Sequence, residues 1–212
     1  MRVQTYSVNE EIANALSHGI GVAAAIVGLT LMLVKGIPVL TPAEIAGISI
    51  YGATLILLFL CSTLYHAIHH QGAKAVFKRL DHCAIYLLIA GSYTPFMLIT
   101  IDGEAGTLLL TLIWAMAVAG VMFKALFVDR FKKLALLTYL VMGWSSLVVI
   151  WQLYQTLPRP GFLLLVAGGL SYSLGTLFYV AKRQRYTHAI WHLFVLGGAA
   201  CHCVAVGLYV IP

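Results

Sequence analysis

The fold of this chain is decided by the stretch EIAGISIYGATLILLFLCSTLYHA, residues 44–67. After Glu44 it continues as an apolar run, and about 20 such residues are what a helix needs to cross a bilayer. Over all 212 residues, 61% are hydrophobic and 9% are charged, whereas a soluble domain carries about 25% charged residues. We therefore predict an integral membrane protein, and the composition excludes water-soluble classes.

Further apolar runs of the same kind lie on both sides of this stretch, separated by charged residues and Pro/Gly clusters. The connections between them are short and leave no room for a soluble domain. We predict an all-α membrane protein, with residues 1–212 forming a single seven-helix transmembrane domain. The predicted helices span about 17–35, 44–67, 81–101, 105–125, 134–154, 161–181 and 188–211.

The basic residues predict the orientation of this bundle, because cytoplasmic loops carry an excess of Lys and Arg. Lys35 and Arg159 lie on one side of the membrane, and the remaining eleven of the thirteen Lys and Arg residues lie on the other. We therefore predict a cytoplasmic N-terminus and an outside C-terminus. The same distribution explains the net charge of +6 without a nucleic-acid partner. The eleven residues are Arg2, Lys74, Lys78, Arg79, Lys124, Arg130, Lys132, Lys133, Lys182, Arg183 and Arg185.

Ionisable side chains inside membrane helices are costly and usually face a cavity or one another. Ser62 and His66 lie four residues apart near the end of the second predicted helix, and therefore on one helical face. Asp81 opens the third predicted helix. His188 and His192, again four residues apart, begin the seventh and can direct two imidazoles at one ion.

The predicted topology brings these five residues to one depth near the cytoplasmic face. Three histidines, His66, His188 and His192, with a fourth position left open, are typical of a catalytic zinc site, since structural sites usually close the tetrahedron with protein ligands. Asp81 is then placed to hydrogen-bond a ligating imidazole or the water at the open position. Ser62 is placed to hold that water or the substrate oxygen.

Other interpretations remain open for several histidines. A histidine pair near a membrane interface can simply anchor its helix among the lipid headgroups. His82 projects about 100° away from Asp81 around the helix, which favours packing over ligation. His202 lies ten residues beyond His192 and is expected to be a buried bundle residue.

A further polar stripe precedes the first apolar run. Glu11, Asn14 and His18 recur at i, i+3 and i+7, so they share one face of a helix. The stripe is either the solvated side of an amphipathic lead-in or part of the lining of the same inner cavity. The spacing favours neither interpretation.

Together, these motifs resemble the signature motifs of the progestin and adipoQ receptor family. The resemblance runs from about residue 8 to the end of the chain and is closest to the bacterial haemolysin III branch. It rests on NEEIANALSHGIG (9–21), STLYH (62–66), LDHCAIYLLIAGSYTPF (80–96) and the final H-x-x-x-H (188–192).

The resemblance implies a multi-pass protein of the bacterial inner membrane that binds Zn²⁺ near its cytoplasmic face. His66, His188 and His192 would be the ligands, with Asp81 and Ser62 as catalytic or supporting residues. The family is also similar to alkaline ceramidases, which implies hydrolysis of a lipid amide or ester. An older label of cytolysin and a role in membrane homeostasis are attached to its haemolysin III members.

Three functional hypotheses follow. The first is a zinc-dependent hydrolase whose substrate is a membrane lipid. The second is a haemolysin-type pore, which requires a polar lumen, although few ionisable groups lie in the outer halves of the predicted helices. The third is a lipid sensor with a structural zinc ion. The oligomeric state and the identity of the lipid do not follow from the sequence.

Overall fold

The computed structural model of the protein describes residues 6–101, 103–181 and 184–212. Seven helical segments within these residues are long and apolar enough to cross a membrane, and no strand lies among the described residues. The predicted seven-helix bundle is therefore confirmed. Its helices are α1 Val8–Gly36, α2 Pro42–Ala67, α3 Gln71–Pro95, α4 Glu104–Phe127, α5 Lys132–Trp144, α6 Ile150–Thr156, α7 Arg159–Val180 and α8 Thr187–Ala205.

Three spans change their helical winding within the membrane. Pro95 ends α3, and a π-helical turn, Phe96–Thr100, continues the third span. A second π-helical turn, Val206–Val210, continues α8, and the 3-10 stretch Ser145–Val149 joins α5 to α6 within the fifth span. A proline removes one backbone donor from the helical ladder, which accounts for the first of these changes.

Two helices begin about nine or ten residues earlier than predicted. α1 starts at Val8 rather than near 17, and α3 starts at Gln71 rather than at 81. The prediction that Asp81 opens the third helix is therefore wrong, because Asp81 lies ten residues inside α3. A capping residue can start a helix within a polar segment, before the apolar run. Hydropathy marks only where contact with lipid begins, so it placed both helix starts too late.

Both early starts have a visible cap. Ser7 and Glu10 form a capping box, in which the Ser7 amide and hydroxyl donate to Glu10 Oε2 at 3.1 and 2.7 Å and the Glu10 amide donates to Ser7 Oγ. At the start of α3 the Ala73 amide donates to His70 Nδ1 at 3.3 Å. The connection from α2 to α3 is consequently reduced to 68–70.

The predicted orientation of the bundle stays a prediction. Arg2, Lys182 and Arg183, three of the cations on which it rests, lie outside the described residues. Of the remaining cations, Lys78 lies on α3 and forms an ion pair with Asp129 in the turn between α4 and α5. Basic residues near the ends of membrane helices are typical of the cytoplasmic side.

The bundle buries its largest side chains at the centre and presents aliphatic ones outward. Tyr51, Tyr86 and Phe59 are almost fully buried on α2 and α3. Leu108 and Val148 are 73% and 79% exposed, as expected of residues that face lipid. Several of the buried polar residues, among them Asn14, His66 and His192, gather around one end of α1, α2 and α8, where the candidate site lies.

Candidate metal centre

Three histidines from two helices meet at one point in the bundle. One ring nitrogen of each of His66, His188 and His192 lies within 4.8 Å of the other two. His66 lies in the last turn of α2, and the other two residues, one helical turn apart, lie in the first turns of α8. His66 is 2% exposed and His192 is fully buried. The three nitrogens therefore form a group that could bind a metal ion.

The spacing within this group fits a tetrahedral metal site. The Nε2 atoms of His66 and His188 are 3.2 Å apart, and Zn–N bonds of 2.0–2.1 Å at tetrahedral angles separate two ligand nitrogens by about 3.3 Å. His192 Nε2 is buried and has no hydrogen-bond partner, so a metal ion would satisfy it. Within the described part of the chain, the group contains no carboxylate. The identity of the ion stays a prediction.

The Nδ1 side of the His192 ring contacts α1. Its Nδ1 atom lies 3.2 Å from the Asn14 carbonyl oxygen and 3.1 Å from Ser17 Oγ. Because a carbonyl oxygen only accepts hydrogen bonds, Nδ1 carries the proton and Nε2 keeps its lone pair. The ring of His18 stacks on that of His192, with centroids 3.7 Å apart and planes 11° apart.

The other two histidines also contact the N-terminal part of the chain. Glu11 Oε2 lies 2.6 Å from His66 Nδ1. The Tyr6 ring stacks on His188 with centroids 5.1 Å apart. Burial raises the pKa of Tyr6 above its usual value, so its hydroxyl stays protonated at neutral pH. Residues 6–18 therefore touch all three histidines.

The two predicted catalytic residues are both buried. Ser62 is fully buried one helical turn before His66, and Asp81 is 3% exposed on α3. The Ser62 hydroxyl has no hydrogen-bond partner among the described residues. Asp81 lines both cavities of the site but does not belong to the group of converging histidines.

Two cavities meet at Asp81. An apolar cavity of about 180 Å³ extends from His18 and Asp81 to His202, which lies about 15 Å beyond His192 along α8. A more polar cavity of about 240 Å³ is lined by His188, Tyr6 and several charged residues. The residues that line both cavities are Asp81, Ile85, Tyr179 and Trp191.

His82 and His202 behave as packing residues. His202 Nε2 lies 3.2 Å from the Leu165 carbonyl oxygen, and His82 Nδ1 lies 2.8 Å from the Lys78 carbonyl oxygen. Neither belongs to the converging group. The stripe of Glu11, Asn14 and His18, for which the sequence left two interpretations open, lines the site.

Sequence reasoning missed three contacts of the site. Ser17 lies three residues after Asn14, so the periodicity that indicated the stripe could have included it. Tyr6 precedes the helix and carries no such signal. Lys74 was counted only toward the orientation of the bundle, yet its Nζ atom lies 2.9 Å from Glu11 Oε1.

The sequence of the chain matches a family of known proteins. Residues 6–203 match the family described as Haemolysin-III related. The chain is 47% identical to Hemolysin-3 of Bacillus cereus, over 100% of this chain and 97% of that protein. It is 43% identical to the Hemolysin-3 homolog of Bacillus subtilis (strain 168), over 97% of both chains.

A more distant relative comes from a eukaryote. The Homo sapiens protein Monocyte to macrophage differentiation factor is 34% identical over 166 residues, which are 76% of this chain and 68% of that protein. The family match and the Bacillus relatives extend over nearly all seven spans. This multi-pass protein of the bacterial inner membrane therefore belongs to the haemolysin III branch of the progestin and adipoQ receptor family.

Proposed function

We propose that the protein is a zinc-dependent membrane hydrolase that cleaves an amide or ester bond of a lipid and thereby serves membrane lipid homeostasis. The observation that carries this proposal is the convergence of His66, His188 and His192, of which His188 lines the polar cavity that shares Asp81 with the apolar one. Three histidines with a fourth position open are typical of catalytic zinc sites.

The two cavities support an amphiphilic substrate. The apolar cavity is lined mainly by aliphatic and aromatic side chains of α3, α5, α7 and α8, which suits an acyl chain. The polar cavity, lined by Lys78, Lys132 and Arg185 among others, suits a headgroup. A lipid that occupied both would place the bond between its chain and its headgroup beside Asp81.

Access from the membrane is available along the fifth span. Gly143 and Trp144 line the apolar cavity, and a Cβ atom added at Gly143 would meet open space. Trp144 Nε1 donates to Ser173 Oγ on α7 at 2.9 Å. Lateral entry of a lipid between α5 and α7 would therefore have to break this hydrogen bond.

In the proposed reaction, the metal ion and the side chains of the protein would have separate roles. His66, His188 and His192 would hold a Zn²⁺ ion, which would supply Lewis-acid polarisation of a carbonyl oxygen and activation of water. The Asp81 carboxylate takes the proton of the attacking water and delivers it to the leaving nitrogen or oxygen. Ser62, whose buried hydroxyl has no hydrogen-bond partner among the described residues, is available to hold the substrate oxygen, and the surrounding apolar wall excludes bulk water.

The proposal is tested on protein purified in detergent, by measuring bound zinc and the release of fatty acid from ceramides and phospholipids. We expect one zinc ion per wild-type chain and zinc-dependent turnover. His192→Ala should lose both. Asp81→Asn should keep zinc but lose about 10²–10⁴-fold in turnover, the usual contribution of a general acid–base group.

His69→Ala is the matched control, because His69 lies in the exposed connection between α2 and α3, and we expect it to behave as wild type. Wild-type protein without zinc would contradict the metal site itself. Stoichiometric zinc with no turnover on any lipid would instead support a sensor with structural zinc.

A pore is the alternative that the names of the Bacillus relatives favour. A pore requires a polar path through the membrane, whereas the cavity that extends from Asp81 to His202 is largely apolar. Ion flux through liposomes that contain the purified protein separates the two functions. Flux that persists in His192→Ala would support the pore and contradict the hydrolase.

A further inference from the structure

Glu11 connects the candidate metal centre to the third helix. Its Oε2 atom lies 2.6 Å from His66 Nδ1, and its Oε1 atom lies 2.9 Å from Lys74 Nζ. The side chains of Glu11 and Lys74 are 16% and 13% exposed. α1, α2 and α3 are thus joined by one chain of short contacts that ends on a candidate metal ligand.

The direction of the first contact follows from chemistry. A carboxylate can only accept a hydrogen bond, so His66 Nδ1 donates to Glu11. A neutral imidazole with its proton on Nδ1 has its lone pair on Nε2. That Nε2 atom faces His188 Nε2 at 3.2 Å, on the side where the three ring nitrogens converge.

We propose that Glu11 is a positioning residue of the metal centre, which holds His66 with Nε2 toward the ion and is itself held by Lys74. The inference rests on the proposed function only in taking the three histidines as metal ligands. Carboxylate partners of this kind fix the ring orientation of ligating histidines and raise their basicity.

The neighbouring residue Glu10 provides a matched comparison. Glu10 is also acidic and also accepts hydrogen bonds, but from Ser7 and from the Tyr186 amide at 3.0 Å, and not from a candidate ligand. Glutamine at this position keeps the capping box. Glu10→Gln therefore changes charge at the same helix end without touching the metal centre.

The test measures metal affinity rather than turnover. Purified wild type, Glu11→Gln and Glu10→Gln are titrated with Zn²⁺ against a competing chelator, and Co²⁺ is bound in parallel so that its absorption spectrum reports ligand geometry. We expect Glu11→Gln to lose roughly 10–100-fold in zinc affinity, as for other partners of ligating histidines, with an altered Co²⁺ spectrum. Glu10→Gln should match wild type in both measurements.

Lys74→Met is a second variant. Lys74 contacts none of the candidate ligands, and its replacement preserves the Glu11 carboxylate. We expect a loss of roughly two- to five-fold in zinc affinity from it, because a partly exposed ion pair contributes only a small free energy. This variant keeps the inference testable if Glu11→Gln does not fold. An affinity for Lys74→Met equal to that of wild type would then contradict the part assigned to Lys74.

Glu11→Gln with wild-type affinity and an unchanged Co²⁺ spectrum would overturn the inference and leave the proposed hydrolase intact. Wild-type protein that binds zinc but hydrolyses no lipid, together with a weakened Glu11→Gln, would support the inference and contradict the hydrolase. Wild-type protein that binds no zinc would overturn both.

Discussion

At the scale of single residues, the protein places its costly polar groups where another residue or an ion can satisfy them. Buried His66 and His192 each have Nδ1 bonded to α1 and Nε2 turned toward the same point. An unsatisfied polar group buried in an apolar interior costs about 1–3 kcal/mol. The orphaned Nε2 of His192 is therefore a position at which binding of an ion would add stability.

Small residues allow the helices to approach closely, and Gly120 on α4 is a clear case. A Cβ atom there would lie 2.3 Å from Cε1 of Tyr86, a ring that is 1% exposed and whose hydroxyl lies 2.6 Å from Thr138 Oγ1. We predict that Gly120→Ala lowers the free energy of unfolding by about 1–3 kcal/mol through overpacking. Thermal unfolding in detergent measures the effect.

Gly143→Ala is the control for that measurement, because a Cβ atom at Gly143 meets nothing within 4 Å. Alanine also has a higher helix propensity than glycine. We expect this variant to unfold at or slightly above the wild-type temperature. Equal destabilisation by both variants would contradict close packing of α4 on α3.

At the scale of helical elements, the fifth span shows how a helix can break inside the membrane without proline. Its winding changes between Trp144 and Ile150, where the backbone groups need other partners. The Tyr93 hydroxyl on α3 supplies them. It donates to the carbonyl oxygens of Met142 and Gly143, both at 2.8 Å, and accepts from the Ser146 amide at 2.7 Å.

We predict that Tyr93→Phe destabilises the protein by about 1–3 kcal/mol, because it removes one hydroxyl and leaves buried backbone groups without that partner. The midpoint of thermal unfolding in detergent should fall accordingly. Tyr154→Phe, at a residue that is 56% exposed, is the control and should unfold as wild type does. An unchanged midpoint for Tyr93→Phe would show that the break does not depend on this hydroxyl.

At the scale of the whole molecule, the site depends on three helices presenting their ends on the same side. α2 ends beside the site, while α1 and α8 begin there. Consecutive spans run in opposite directions across the membrane. With seven spans, the second span ends on the side where the first and the seventh begin. The number of spans and the position of the site are therefore linked.

The predicted orientation places this side in the cytoplasm. We expect a fluorescent protein fused to the C-terminus of the full chain to remain dark and alkaline phosphatase fused there to be active, because the C-terminus lies outside. A fluorescent protein at the N-terminus should be bright. The reverse pattern would place the candidate site at the outer face and contradict the predicted orientation.

The sequence by itself determined the seven spans, the family and the residues most suited to bind a metal. An apolar run of about 20 residues is a local property, and histidines or a carboxyl group within such runs are conspicuous because burying them is costly. His66, His188 and His192 could therefore be selected from spacing, and the structure brings them together.

Only the tertiary structure decided which atoms meet. The contacts of Glu11 with His66 and of Ser17 with His192 join residues 55 and 175 positions apart, and they depend on how the helices rotate and pack against one another. The two cavities that meet at Asp81 depend on the same packing. Hydropathy reports whether a residue faces lipid or protein on average, but it carries no information about which helix lies opposite.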